Sequence, residues 1–397
     1  MRVLMLSKAC IVGIYQRKLE EIARLGIDLL TLVPPSWKDE RGETVLERAY
    51  TDGYRLEVLP IARNGDFHLH FYPGLGQRIR DFQPDIVHID EEPYNLAAWQ
   101  ALYHARRAGA KSLFFSWQNI NRAYPPPFSW GERWLLRHVD YALMGTESAA
   151  EVWRAKGYAG PLRVVPQFGV DPELFRPGNP HPPAPSPLRK EGESELPSAH
   201  LERLSLLVER GGDTEFTIGF VGRLVPEKGV DLLIRAFAQL VKERAGARLL
   251  LVGGGPERDR LEALAVELGV GDCVEFIAWV NSMEMPALYP RMDVLVLPSL
   301  TRPNWKEQFG RALTEAMACG VPVVGSDSGA IPNIIGDAGL IVPEGDVDAL
   351  AGALRRLRDS AALRAELGAK GRARVLAHFT HQQVAADTVA VYREMMK

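Results

Sequence analysis

The feature that most constrains this chain is an alternation that occurs twice. Short apolar runs, each followed by a helix-compatible stretch, run from Val3–Leu6 to Tyr141–Gly145, stop, and start again at Thr217–Val221. The first series comprises Val3–Leu6, Leu29–Val33, Asp85–Ile89, Ser112–Ser116 and Tyr141–Gly145, with a helix pattern around Gln16–Leu25. The second comprises Thr217–Val221, Arg248–Val252, Val274–Phe276, Val294–Leu297, Val321–Gly325 and Leu340–Val342. Within it, Asp231–Arg244 is amphipathic, with Leu232, Leu233, Ala236, Phe237, Leu240 and Val241 on one side. Continuously apolar strands alternating with helices predict parallel sheets covered on both faces. Two such halves predict a cleft between them, with ligands beyond the carboxyl ends of the strands.

The break between the halves is compositional. Asn179–Pro187 is rich in proline and Leu188–Ser198 is charged and Ser-rich, which reads as a linker or surface insertion with a short helix near His200–Arg210. At the far end, Thr380 and Gln383 have capping-box spacing, and Val384, Thr388, Val391, Tyr392 and Met395 line one face of a last helix.

Composition narrows the function classes. Lys+Arg 47 against Asp+Glu 50 gives a net charge of −3, so no global basic field argues for nucleic acid. Cys10, Cys273 and Cys319 show no metal-ligand spacing and read as reduced, buried thiols. No apolar run approaches the roughly 20 residues needed to span a bilayer. Lys8 interrupts the N-terminal apolar stretch, which reads as a first strand rather than a signal peptide. The expected location is cytoplasmic, with peripheral attachment to the inner face of a membrane left open.

Three segments carry chemistry. Gly222–Gly229 reads Gly-Arg-Leu-Val-Pro-Glu-Lys-Gly, follows a strand and opens a helix. Two cations beside a glycine-bounded loop at a helix N-terminus suit a diphosphate. The GxxxxGK[ST] spacing of a P-loop is missing. Glu307–Glu315 places two carboxylates eight positions apart across Phe309-Gly310. In a helix, eight residues rise roughly 12 Å, comparable with the distance from a hexose to the ribose of a nucleotide sugar. Gly253-Gly254-Gly255-Pro256 is a glycine-rich strand exit that by itself is only a turn.

In this order, these segments resemble the family 4 glycosyltransferases, a retaining group with the GT-B fold. The family's GRLxxxKG loop matches Gly222–Gly229, its glycine-rich strand exit matches Gly253–Pro256, and its E-x7-E motif matches Glu307–Glu315. Ala316–Val323 also looks like the family. The resemblance implies two Rossmann-like domains: an acceptor domain over 1–177 and a nucleotide-sugar domain over 213–378. Residues 178–212 would be linker or insertion, and a helix over 379–397 would cross back to the first domain.

Residue by residue, the resemblance implies that Arg223 and Lys228 hold the donor diphosphate and that Glu315 accepts from the ribose hydroxyls. Glu307 would contact the transferred sugar, and Phe309, Gly310 and Arg311 would supply backbone donors. Gly13 would let the backbone approach the phosphates, although the family's Gly-Gly pair is reduced here to Val12-Gly13-Ile14. Where many members carry a His after the strand matched by Ser112–Ser116, this chain has Gln118, which can hydrogen-bond to a sugar but cannot act as a base. Asn333 stands where the family often has Glu.

The implied partners are a nucleotide diphosphate sugar and a glycan or lipid-linked acceptor. No cofactor, metal or nucleic acid is expected. The alternatives are a sugar-nucleotide epimerase or hydrolase on the same architecture, and a non-catalytic nucleotide-sugar binding module.

Several motifs have plainer readings. Asp346-Val347-Asp348 looks like a metal-binding DxD, but Asp346 is placed to cap a helix. His68 and His70 read as an exposed loop. Asp90-Glu91-Glu92 reads as either a solvated loop or an acceptor-side cluster. Tyr124–Trp130, with Arg122 and Arg133, reads as a plain surface segment, with an acceptor- or membrane-facing lip as the alternative.

Overall fold

The computed structural model describes residues 1–39, 42–178, 215–278, 280 and 284–397. They form two compact units: Met1–Asp171 together with Ala377–Lys397, and Pro172–Leu376. Most of the 178–212 segment, including the Pro-rich run and the helix expected near His200–Arg210, lies outside the described residues.

The first unit holds β1 (Arg2–Ser7), β2 (Asp28–Val33), β3 (Ser36–Asp39), β4 (Gly42–Val45), β5 (Arg55–Val58), β6 (Ile86–Asp90), β7 (Lys111–Ser116), β8 (Tyr141–Met144) and β9 (Leu162–Val164). Seven of these make one sheet in the order β5-β2-β1-β6-β7-β8-β9, and every pairing in it is parallel. β3 and β4 pair antiparallel beside it. The chain grows from β1 toward β5 and then reverses to β6, so the switch in direction falls between β1 and β6. Central strands such as β1 and β6 are almost wholly buried, which explains their predominantly apolar sequence.

The helix His381–Met395 belongs to this unit and packs against the helix Arg17–Arg24. It buries Val384, Thr388, Val391, Tyr392 and Met395. Thr380 Oγ1 caps it by accepting from the Gln383 amide at 3.0 Å. The Gln383 side chain donates to Asp387 at 3.2 Å, so the reciprocal half of the expected capping box is not formed.

The second unit holds β10 (Phe216–Val221), β11 (Ala247–Val252), β12 (Val274–Ile277), β13 (Val294–Leu297), β14 (Val323–Ser326) and β15 (Gly339–Val342). The order is β12-β11-β10-β13-β14-β15, again all parallel. Here the switch falls between β10 and β13. β14 starts two residues later than its apolar run because Pro322 has no N–H and the Val321 amide closes the preceding helix on Ala316 O at 2.9 Å. Asp346 caps the helix Val347–Asp359 through the Ala349 amide at 2.8 Å, which accounts for the DxD look-alike.

Candidate active site

The strongest cluster forms at the switch of the second sheet. Beyond β10 the chain enters Gly222–Gly229. The loop after β11 holds it, because the Leu224 amide donates to Gly254 O at 2.9 Å and the Glu257 amide to Leu224 O at 3.1 Å. Gly253 has φ +136°, and a Cβ there would lie 2.0 Å from Gly222 O. The Gly253–Pro256 motif therefore acts as a support that lies flush under the Arg223 loop. Pro226–Lys228 makes one 3₁₀ turn, and Gly229, at φ +63°, starts the helix Val230–Glu243. A Cβ on Gly229 would sit 2.2 Å from Pro298 O, in the loop after β13. Only glycine lets the two loops meet this closely.

That contact brings Lys228 onto Glu307. Lys228 Nζ lies 2.5 Å from Glu307 Oε2, and the same oxygen accepts from Ser299 Oγ at 2.8 Å. Trp305, held in a tight Arg302–Trp305 turn, places its ring 5.1 Å from the Lys228 ammonium. Arg223 Nη2 is 3.7 Å from Glu227, and its side chain is 43% exposed.

Glu307 precedes the helix rather than lying within it. Gly310 is the N-cap at φ +75°, and the helix runs Arg311–Ala318. The straight-helix estimate of the separation of the two carboxylates therefore does not apply. Glu315 lies inside that helix, accepting from the Tyr289 hydroxyl at 2.6 Å and pairing with Arg311 Nε at 2.9 Å. Burial, and then the Glu315 charge, push the Tyr289 hydroxyl far above its usual range, so it stays a proton donor. Both carboxylates are buried, Glu307 at 6% and Glu315 at 7% exposure. Buried carboxylates with fixed donors are preorganised acceptors for ligand hydroxyls. Tyr289 and Ser299 carry no motif of their own, and their role shows only once the sheet brings them beside the two glutamates.

The other two predicted site residues lie in the first unit. Gly13 opens a 3₁₀ turn, Gly13–Gln16. Its N–H donates to Glu47 Oε2 at 2.7 Å, so the amide expected to face a phosphate is occupied by a carboxylate of the same chain. Gln118 turns inward. Its Nε2 donates to Ile120 O at 3.0 Å, and its Oε1 is buried with no hydrogen-bond partner.

The switch between β1 and β6 carries a second polar cluster. His70 is fully buried, not on an exposed loop, and its Nε2 lies 3.4 Å from Glu91. Glu91 is not solvated either. It pairs with Lys8 and accepts from Tyr72 OH at 3.1 Å and Asn95 Nδ2 at 3.1 Å. Burial raises the Glu91 carboxyl, but Lys8 and His70 outweigh it and hold the group at about 2. Asp90 accepts from Ser7 at 2.5 Å and from Gln167 at 2.8 Å. Glu92 accepts from Ser116 Oγ at 2.6 Å and from the Trp117 amide at 3.0 Å. Burial dominates at Glu92 and pushes it up to about 7. Cys10 and Cys319 are buried free thiols, whereas Cys273 is only half-buried.

An all-parallel sheet with a cation–carboxylate pair at its switch has the layout of open α/β units, whose ligands bind beyond the carboxyl ends of the strands. The comparisons with known proteins give the class. The domain described as "Glycosyl transferases group 1" matches residues 209–374, and that described as "Glycosyl transferase 4-like domain" matches residues 14–167. A D-inositol 3-phosphate glycosyltransferase of Stackebrandtia nassauensis is 32% identical over 335 residues, covering 79% of this chain and 69% of that protein. A GDP-mannose-dependent alpha-(1-6)-phosphatidylinositol monomannoside mannosyltransferase of Mycolicibacterium smegmatis is 38% identical over 156 residues. That match covers 38% of this chain and 41% of the relative, less than half of either. Among solved structures, a glycosyltransferase from Rickettsia africae superposes with TM-score 0.73 at 18% identity, covering 100% of this chain and 98% of that one. Anabaena HepE in complex with UDP gives TM-score 0.70 at 18% identity, covering 99% and 100%. The chain belongs to the family 4 glycosyltransferases, and its fold is GT-B.

Proposed function

We propose that this glycosyltransferase moves a hexose from a nucleotide diphosphate sugar to a hydroxyl of a glycan or lipid-linked acceptor, with retained anomeric configuration. The observation that carries the reading is the Lys228–Glu307 pair at the β10/β13 switch, 2.5 Å apart. Glu315 adds a second buried carboxylate on the adjoining helix. The donor would draw Lys228 and Arg223 onto its diphosphate. Glu307, released from Lys228, would accept from hydroxyls of the transferred sugar, and Glu315 from the ribose. The amides of Phe309, Gly310 and Arg311 are assigned to the phosphates by the same reading.

The chemistry follows from charge. As the glycosidic bond lengthens, positive charge grows on the sugar and negative charge on the leaving diphosphate. Fixed cations and amides aimed at the diphosphate stabilise that transition state, usually the largest catalytic contribution. In the retaining route proposed here, the leaving phosphate takes the acceptor proton on the same face of the sugar. Gly13 would serve the phosphates only after Glu47 leaves its amide, and Gln118 would reach a sugar only after leaving Ile120. The names of the two relatives, which mention an inositol phosphate and a GDP-mannose-dependent transfer, support a sugar-nucleotide donor and a polyol- or lipid-linked acceptor.

The test is donor turnover with and without acceptors, with the product anomer read by NMR. Transfer with retention, undiminished by EDTA, is expected. Release of free sugar irrespective of acceptor would instead favour a hydrolase, conversion to an epimeric donor an epimerase, and binding without turnover a non-catalytic module.

A further inference from the structure

Two helices of the first unit lie side by side: Leu96–Arg107 and Phe128–His138. Their inner faces share one apolar cluster, which includes Ala98, Ala101, Leu102, Leu135 and Leu136. They run in the same direction, since Trp99 meets Phe128 at one end and Arg106 donates to His138 O at the other. Their outer faces therefore form one surface.

That surface has an unusual composition. On the first helix Tyr103, Arg106 and Arg107 are exposed, at i, i+3 and i+4. On the second, Trp130, Arg133 and Arg137 are exposed, at i, i+3 and i+7. Trp130 is 61% exposed and Tyr103 47%. The only carboxylate on either helix, Glu132, is buried and bound to Lys156 at 2.7 Å. The positive field is felt locally: burial, then Arg80 and Arg107, lower the His104 pKa. All this stands on a chain whose net charge is −3.

Four exposed arginines with two exposed amphipathic rings match the chemistry of one partner, an anionic lipid surface. Guanidinium groups on long stems reach headgroup phosphates, while Trp and Tyr rings settle at the level of the headgroups. A duplex would use the arginines on its phosphates and leave the outward indole idle; a single strand could stack on the ring, which makes RNA the competing outcome of the test. We infer that the outer face of helices 96–107 and 128–138 docks this enzyme on membranes containing anionic lipid. The docking is separate from the donor site, so it holds whichever donor and acceptor are used.

The experiment is co-sedimentation of the full chain with phosphatidylcholine vesicles, with and without phosphatidylglycerol, at low and high salt. Wild type is expected to pellet with the anionic vesicles, to stay in solution with pure phosphatidylcholine, and to be released by salt. The double variant Arg133→Gln/Arg137→Gln should bind anionic vesicles roughly tenfold or more weakly. Trp130→Ser should weaken binding with the salt dependence retained. Both variants should keep wild-type melting temperatures and donor affinity, which separates failure of docking from failure of folding or of the donor site. Wild-type vesicle binding in both variants would overturn the inference. So would a folded wild type that ignores anionic vesicles, or one that binds RNA in their place.

Discussion

Replacing Lys228 by Met removes the ammonium while keeping most of the stem. Glu307 would then be left without its cation at 6% exposure, with the Ser299 donor at 2.8 Å still in place. Removing one partner of a buried ion pair typically costs about 3–5 kcal/mol, because the other charge is left uncompensated. The retained hydroxyl puts the expected loss near the lower end, about 3 kcal/mol. Glu307→Met should cost less, roughly 1–2 kcal/mol, because the Lys228 side chain is already 13% exposed and can extend its ammonium to water. The double variant replaces the pair by two apolar chains and should lose about 2 kcal/mol, well short of the sum of the singles. The resulting coupling is roughly 2–3 kcal/mol. Urea denaturation of the four proteins, followed through the transition of the second unit, measures it. Single losses that add to within about 0.5 kcal/mol would show that the pair is not coupled, and the buried switch-point pair would then be wrong.

Two further outcomes follow from the same geometry. Gly229→Ala should destabilise the second unit by about 2 kcal/mol or more, because the backbone is at φ +63° and the new Cβ would lie 2.2 Å from Pro298 O; a melting temperature equal to wild type would refute the close approach of the two loops. Glu92, raised from 4.5 to about 7 by burial, is easier to keep buried when protonated. Its contribution to stability is therefore fully present below about pH 4.5 and lost as pH rises toward 7, by roughly 3 kcal/mol at most. Glu92→Gln should flatten that part of the stability profile, and parallel melting curves for variant and wild type between pH 4.5 and 8 would contradict it.

The parts of the fold that read directly from sequence are those where burial acts on both faces. β1, β6, β10, β11 and β13 announce themselves as predominantly apolar runs because helices cover both sides of them. β5 and β9 do not, since an edge strand of four residues and one of three bury too little to shape their composition. The β3/β4 hairpin was hidden for a similar reason, with β4 exposed throughout. At the site, loop chemistry was legible where glycine and charge recur at fixed spacing, as in Gly222–Gly229 and Glu307–Glu315. The long-range partners were not. Nothing local to Glu315 points to Tyr289, 26 positions away, and nothing near Lys8 points to Glu91, 83 positions away. His70 reads as an exposed loop residue because its partner Glu91 comes from another part of the chain and leaves no local signal; the side chain turns into the first unit against Trp37 and Tyr72.

The most direct test of the account is calorimetric titration of UDP and GDP into wild type and Glu315→Ala. If Glu315 holds the ribose hydroxyls, one of the two diphosphates binds wild type, and the variant loses about 1.5–3 kcal/mol, roughly ten- to a hundredfold in Kd. The variant should also unfold as cooperatively as wild type, so that the loss belongs to the ligand contact. Equal affinity in a folded Glu315→Ala, or no binding of either nucleotide to wild type, would contradict the assignment of the β10/β13 switch as the donor site.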